Sequence, residues 1–112
     1  QDIADVALSS DLDGLVISNT TIARADTLQS RARSEKGGLS GRPLMAPSTA
    51  LLAEMHQLTE AKLPLIGTGG IASAADARAK IAAGATLVQL YTALTYRGPR
   101  LIREIKRGLA TA

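Results

Sequence analysis

Residues 63–77 read "LPLIGTGGIASAADA". An apolar run, Leu63 to Gly67, ends in Thr68-Gly69-Gly70 and within three residues turns into a helical pattern. Ser73 is placed to cap that helix, with Asp76 where a capping box carries Glu or Gln. A strand that ends in glycines ahead of a helix start presents backbone N–H groups unobstructed by side chains, beside the positive end of a helix dipole. Such a corner suits phosphate. The plainer alternative is that the glycines only permit a tight strand-to-helix turn. The stretch is not a dinucleotide-binding fingerprint, because the G-x-G-x-x-G spacing is absent.

Two further runs share its character: Gly14 to Ser18 and Thr86 to Tyr91. Their apolarity is continuous rather than alternating, which suits strands of a parallel sheet covered on both faces. Helical patterns fall at Asp2 to Ser9, Ser48 to Ala61, Ser73 to Ala83 and Pro99 to Ala110. Gly84 sits where a helix is closed by glycine, just ahead of the third strand. The order α, β, α, β, α, β, α with right-handed crossovers predicts an α/β fold built on a parallel layer. One connection breaks the short-loop rhythm: residues 20–46 are polar and glycine-rich, with no helix or strand pattern longer than a turn. Loops of that length are either irregular insertions or binding loops and lids. This one leaves the C-terminal end of a strand, the side on which parallel α/β folds bind ligands.

Composition narrows the possibilities. The 112 residues are 46% hydrophobic and 21% charged, the balance of one soluble globular domain. Thirteen basic against ten acidic residues give a net charge of +3, a weak pull toward polyanions, and nucleic acid is not an expected partner. The chain has no cysteine, which removes disulfides, thiolate metal sites and thiol nucleophiles. His56, the single histidine, reads as a surface or helix-packing residue, and no metal site is expected. Arg24, Arg31, Arg33, Lys36 and Arg42 crowd the long loop, either as a solvated stretch or as an attraction for an anionic ligand. The basic run from Arg100 to Ala112 spaces Leu101, Ile102, Ile105 and Leu109 for one face, which reads as a helix packed on the barrel, with a membrane-surface helix as the alternative.

Four ordered blocks, "DGLVISNTT" (13–21), "LQSRARSEKGGLSGRPL" (28–44), "PLIGTGGIASAADARAKIAAGATLVQLYTAL" (64–94) and "YRGP" (96–99), together resemble the C-terminal part of class 2 dihydroorotate dehydrogenase. The resemblance covers nearly the whole chain. It implies an FMN-dependent (β/α)8 TIM barrel that oxidises dihydroorotate to orotate in pyrimidine synthesis and passes the electrons to quinone. It further implies that residues 13–19, 64–68 and 86–91 are barrel strands six, seven and eight, so that residues 1–112 form one partial flavin-binding domain.

Position by position, the resemblance implies that Asn19 and Thr20 hold the orotate ring and its carboxylate. Ser18, Ser40 and Gly41 would contact the flavin; Ser18 departs slightly from the pattern, in which threonine is common, but keeps the hydroxyl. Gly69 and Gly70, with Tyr91 and Thr92, would hold the flavin phosphate. The family's general base, a serine, and a lysine near the flavin belong to segments of the barrel's first half. The quinone-binding helices that meet the membrane lie at its N-terminus. The expectation is therefore a fragment without catalytic residues of its own, itself soluble and inactive alone, from an enzyme peripheral to an inner membrane. The other reading is a non-catalytic phosphate-binding or interaction fragment that kept the barrel glycines without the chemistry.

Overall fold

The computed structural model describes residues 1–21, 28, 30 and 37–111. Arg24, Arg31, Arg33 and Lys36 of the basic loop lie outside the described residues. The chain runs α1 (Asp2–Ser9), β1 (Leu15–Ile17), a 3-10 turn at Arg42–Leu44, α2 (Met45–Leu58), β2 (Leu65–Thr68), α3 (Ala74–Ala82), β3 (Leu87–Gln89), α4 (Thr92–Arg97) and α5 (Arg100–Ala110). The strands form one parallel sheet in the order β1-β2-β3, with Leu15 beside Leu65 and Ile66 beside Leu87. This is the α/β, parallel-sheet arrangement expected from the sequence.

Partners in a parallel register point the same way, so the sheet has two distinct faces. Ile17 and Leu65 on one face join Ala4 of α1, Leu52 and Met55 of α2, and Ala85 in the larger core cluster. Gly67 lies on the same face because α2 and α3 press against it: a Cβ there would stand 3.1 Å from both Leu52 Cδ2 and Lys80 Cβ. A second cluster, Ile71, Ala77, Leu101 and Ile105, welds α3 to α5. On the opposite face Val16 is 43% and Leu87 61% exposed. The expectation of strands covered on both sides therefore holds on one side only among the described residues. The inward face of a (β/α)8 barrel is filled by side chains from all its strands, and three strands cannot fill it for one another.

Local signals explain both ends of α3. Ser73 Oγ accepts from the Asp76 N–H at 3.1 Å, and the Ala72 N–H donates to Asp76 Oδ2 at 2.9 Å. Ser73 thus caps the helix as read from the sequence, a feature worth about 1 kcal/mol, while Asp76 reaches back to the residue before the cap. At the other end Gly84, with φ of 124°, donates to Ile81 O, and Ala85 N–H reaches Lys80 O, closing α3 as a Schellman turn.

Three boundaries differ from expectation. Helix α2 starts at Met45, a turn before Ser48, because Pro47 lies in the first turn, where no N–H donor is needed. It ends at Leu58 rather than Ala61, since Glu60 and Ala61 take left-handed backbone angles of 53° and 59°. The third strand stops at Gln89, and the unexpected short helix α4 takes over at Thr92. In α5, Leu101 and Ile105 are buried as expected, but Ile102 is 39% exposed and lies off their face. His56 packs against the Gly84 turn, where a Cβ on the glycine would meet its Cγ, Nδ1 and Cβ.

Lys80 is the surprise of the core: no part of it reaches the surface. Burial pushes its ammonium below the ordinary value of 10.5, against the opposite pull of the Asp76 carboxylate. Between the lowered value and 10.5 the unfolded chain binds more protons than the folded one, so stability rises with pH across that window. Lys80→Met should flatten the rise in denaturant midpoints measured up to pH 10.5. Equal slopes for the two proteins would contradict it.

Candidate functional site

All three strands deliver their C-terminal ends to one cleft of about 1240 Å³. Ser18, Asn19 and Thr20 follow β1, Gly69 and Gly70 follow β2, and Tyr91 and Thr92 follow β3; Ser40 and Gly41 come from the long connection. Every residue singled out as a site candidate in the sequence therefore lines the same cleft. The described end of the long connection, residues 37–44, lines it too. This favours a binding loop over a detached insertion.

The connection is fastened at two points. Thr21 and Leu39 form an antiparallel bridge with N–H···O distances of 3.2 and 2.7 Å. Thr92 Oγ1 donates to Ser40 Oγ at 2.9 Å, joining residues 52 positions apart. Glycine makes both approaches possible. Gly41, at φ of 87°, would place a Cβ 3.2 Å from Thr92 Cγ2, and a Cβ on Gly38 would overlap Thr20 Oγ1. Gly38 was not singled out from the sequence; its signal is the adjacent pair Gly37-Gly38 at the foot of the loop.

Gly69 and Gly70 both need left-handed angles, with φ of 109° and 78°. They also need the missing side chains. A Cβ on Gly69 would stand 2.7 Å from Ser48 Oγ, and one on Gly70 would stand 2.6 Å from the Met45 Cα. The first turn of α2 is thus packed directly against the glycine turn. Ser48, expected as a helix start, instead turns its hydroxyl inward to Leu44 O at 2.6 Å and Gly69 O at 3.1 Å, and accepts from Lys80 Nζ.

At the β1 mouth, Asn19 Oδ1 accepts from the Thr20 N–H at 2.7 Å, which fixes the amide oxygen and leaves its nitrogen as a donor. Arg97 also lines the cleft; it donates to Ala72 O at 2.7 Å and pairs with Glu104 at 2.8 Å, tying α4 to the loop after β2 and to α5. Together with Arg42 it gives the cleft a cationic border. No carboxylate, histidine or cysteine stands among the described lining residues. What the cleft offers is recognition: amide and hydroxyl groups at one end, glycine backbone and a hydroxyl at the other. No group of three or more metal-ligating side chains occurs among the described residues.

Comparison with known proteins gives one consistent answer. The model of the dihydroorotate dehydrogenase family matches residues 1–112. A dihydroorotate dehydrogenase (quinone) of Parvibaculum lavamentivorans is 61% identical over 109 residues, 97% of this chain and 31% of that protein. A mitochondrial dihydroorotate dehydrogenase (quinone) of Arabidopsis thaliana is 56% identical over 110 residues, again 97% of this chain but 24% of its own length. The crystal structure of DHODH from Eimeria tenella in complex with ferulenol superposes with a TM-score of 0.93 at 47% identity, over 98% of this chain and 29% of that one. The chain spans less than a third of the length of each of these proteins.

Proposed function

The chain belongs to the dihydroorotate dehydrogenase family, and we propose that its cleft is the orotate and flavin-phosphate side of a quinone-linked enzyme of that kind, with residues 1–112 one partial (β/α)8 barrel domain. The substrate is dihydroorotate, the product orotate, and the pathway pyrimidine biosynthesis. One observation carries the reading: nine residues chosen from sequence blocks scattered over positions 18–92 converge on one cleft.

The residues present fit FMN. A turn in which two glycines take left-handed angles over a packed helix has room for backbone to approach a phosphate. Gly69, Gly70, Tyr91 and Thr92 would hold that phosphate, and Ser18, Ser40 and Gly41 would line the rest of the flavin. When bound, FMN supplies the two-electron acceptor for the oxidation. Asn19 and Thr20 orient the substrate, offering both donors and acceptors to a planar polar ring and its carboxylate. The Arg42 and Arg97 border favours anionic ligands at the mouth. The general base and quinone contacts belong to the remainder of the barrel, so these residues alone bind and orient without turning over substrate. The complete enzyme sits at an inner-membrane surface, where quinone dissolves; among the described residues no helix is long and apolar enough to cross a membrane.

The test is a chimera in which this chain replaces the aligned segment of the Parvibaculum lavamentivorans relative. The expected product is a yellow protein, releasing FMN on denaturation, that forms orotate with a quinone acceptor, while the chain by itself forms none. A folded chimera without flavin would refute the reading and favour a barrel segment that binds phosphate or a partner without redox chemistry.

A further inference from the structure

A lysine with no exposed surface is a costly core residue, since removing an ammonium from water costs several kcal/mol unless it is well partnered. Packing does not require it. The stem of Lys80 fills space beside Gly67, which an apolar side chain of similar length would fill as well. Its charge must answer to something else nearby. The ammonium donates to Ser48 Oγ, and Ser48 touches the main chain at Leu44 O and Gly69 O. A hydroxyl whose lone pair already accepts from an ammonium directs its single hydrogen elsewhere, here to Leu44 O at 2.6 Å with Gly69 O at 3.1 Å as the longer branch of a shared bond. The lysine therefore decides how Ser48 bonds. Ser48 in turn anchors Gly69 to the first turn of α2, directly behind the glycine pair that lines the cleft.

We propose that Lys80 is a positioning residue for the ligand's phosphate: acting through Ser48, it fixes the Gly69–Gly70 turn from behind and keeps a buried positive charge one hydroxyl away from it. The proposal rests on the FMN reading above. Its logic is that of a group which costs the fold and serves the site. A dianionic phosphate at the turn gains from a cation in a low-dielectric interior, where solvent does not screen it. A flavin without a phosphate would gain nothing from that charge. Burial lowers the affinity of the Lys80 ammonium for its proton, and the Asp76 carboxylate opposes that lowering.

Flavin without a phosphate separates this role from a structural one. In the apo form of the chimera, FMN and riboflavin affinities are measured by flavin fluorescence titration for the parent, Lys80→Met and Ser48→Ala. Both variants should bind FMN about tenfold more weakly and leave riboflavin affinity within about twofold of the parent, the scale of a lost charge-assisted contact. Lys80→Met should also keep or raise the melting temperature, as removal of a buried ammonium does. Equal weakening of both flavins, or no change in either, would overturn the proposal. So would a folded parent whose two variants both fail to fold, because Lys80 would then be needed by the core itself. A parent chimera that binds no FMN at all overturns the FMN reading first and this inference with it, and that outcome is visible before any variant is made.

Discussion

Gly70→Ala is expected to lower the stability of the folded chimera by about 2–4 kcal/mol and to weaken FMN binding by a hundredfold or more, so that the protein is purified colourless. Two costs combine. The residue holds φ at 78°, a region that charges an L-side chain about 1 kcal/mol or more. The added methyl would also stand 2.6 Å from the Met45 Cα and 2.7 Å from its Cβ, and main chain cannot rotate aside as a side chain can. Either α2 retreats or the turn opens, and both movements spoil the cleft. Gly98 supplies a control for backbone strain without a clash, because its φ is 77° with ψ of 179° and a Cβ there meets nothing within 4 Å. Gly98→Ala should show an angular cost alone, about 1–3 kcal/mol, with flavin retained. Calorimetry and flavin absorbance on the two variants decide the matter. If Gly70→Ala behaved like Gly98→Ala, the close packing of α2 against the turn would not matter to the site.

The second large effect is chemical rather than steric. Asn19→Ala should reduce kcat/KM for dihydroorotate by roughly a thousandfold while leaving flavin content intact, as expected when a preorganised donor and acceptor is removed from a reacting ligand. The Thr20 N–H holds the Asn19 oxygen at 2.7 Å, so the side chain is set before any ligand arrives. Asn19→Asp keeps that hydrogen bond, yet replaces the donor nitrogen with an acceptor oxygen and brings a charge against an anionic substrate; it should do no better than alanine. Steady-state kinetics with flavin quantified in the same samples provide the check. A kcat/KM within a few-fold of the parent would remove Asn19 from the substrate's contacts.

The sequence was most readable where one residue has one physical task. Ser73 and Asp76 announce a helix start because few other arrangements use that spacing, and Gly84 announces a helix end because alanine would resist its φ of 124°. The cleft was legible for a related reason: parallel α/β folds place ligands at strand C-termini, so Gly69 and Thr92 could be located once the strands were found, whereas Asn19 was reached through the family resemblance. Residues with two possible tasks misled. Ser48 after Pro47 has the form of a cap, yet its hydroxyl works inward, a choice made by Lys80 and Gly69 far along the chain. Lys80 itself gave no warning, because a lysine in a helix reads as solvated until the neighbours above it are known. Helix α4 is six residues of TALTYR, too short for periodicity to declare itself. The alternating burial of β1 and β2 was also hidden, since the composition of a strand records the cover of a complete barrel rather than the neighbours within one third of it.

The order of the strands also bears on how the chain assembles. Ile66 and Leu87, which pair β2 with β3, are separated by 21 positions, whereas Leu15 and Leu65, which pair β1 with β2, are separated by 50. Closing the longer loop costs about 0.8 kcal/mol more in chain entropy. The unit β2-α3-β3, with both ends of its helix capped, is therefore expected to pair first and β1 to join it later.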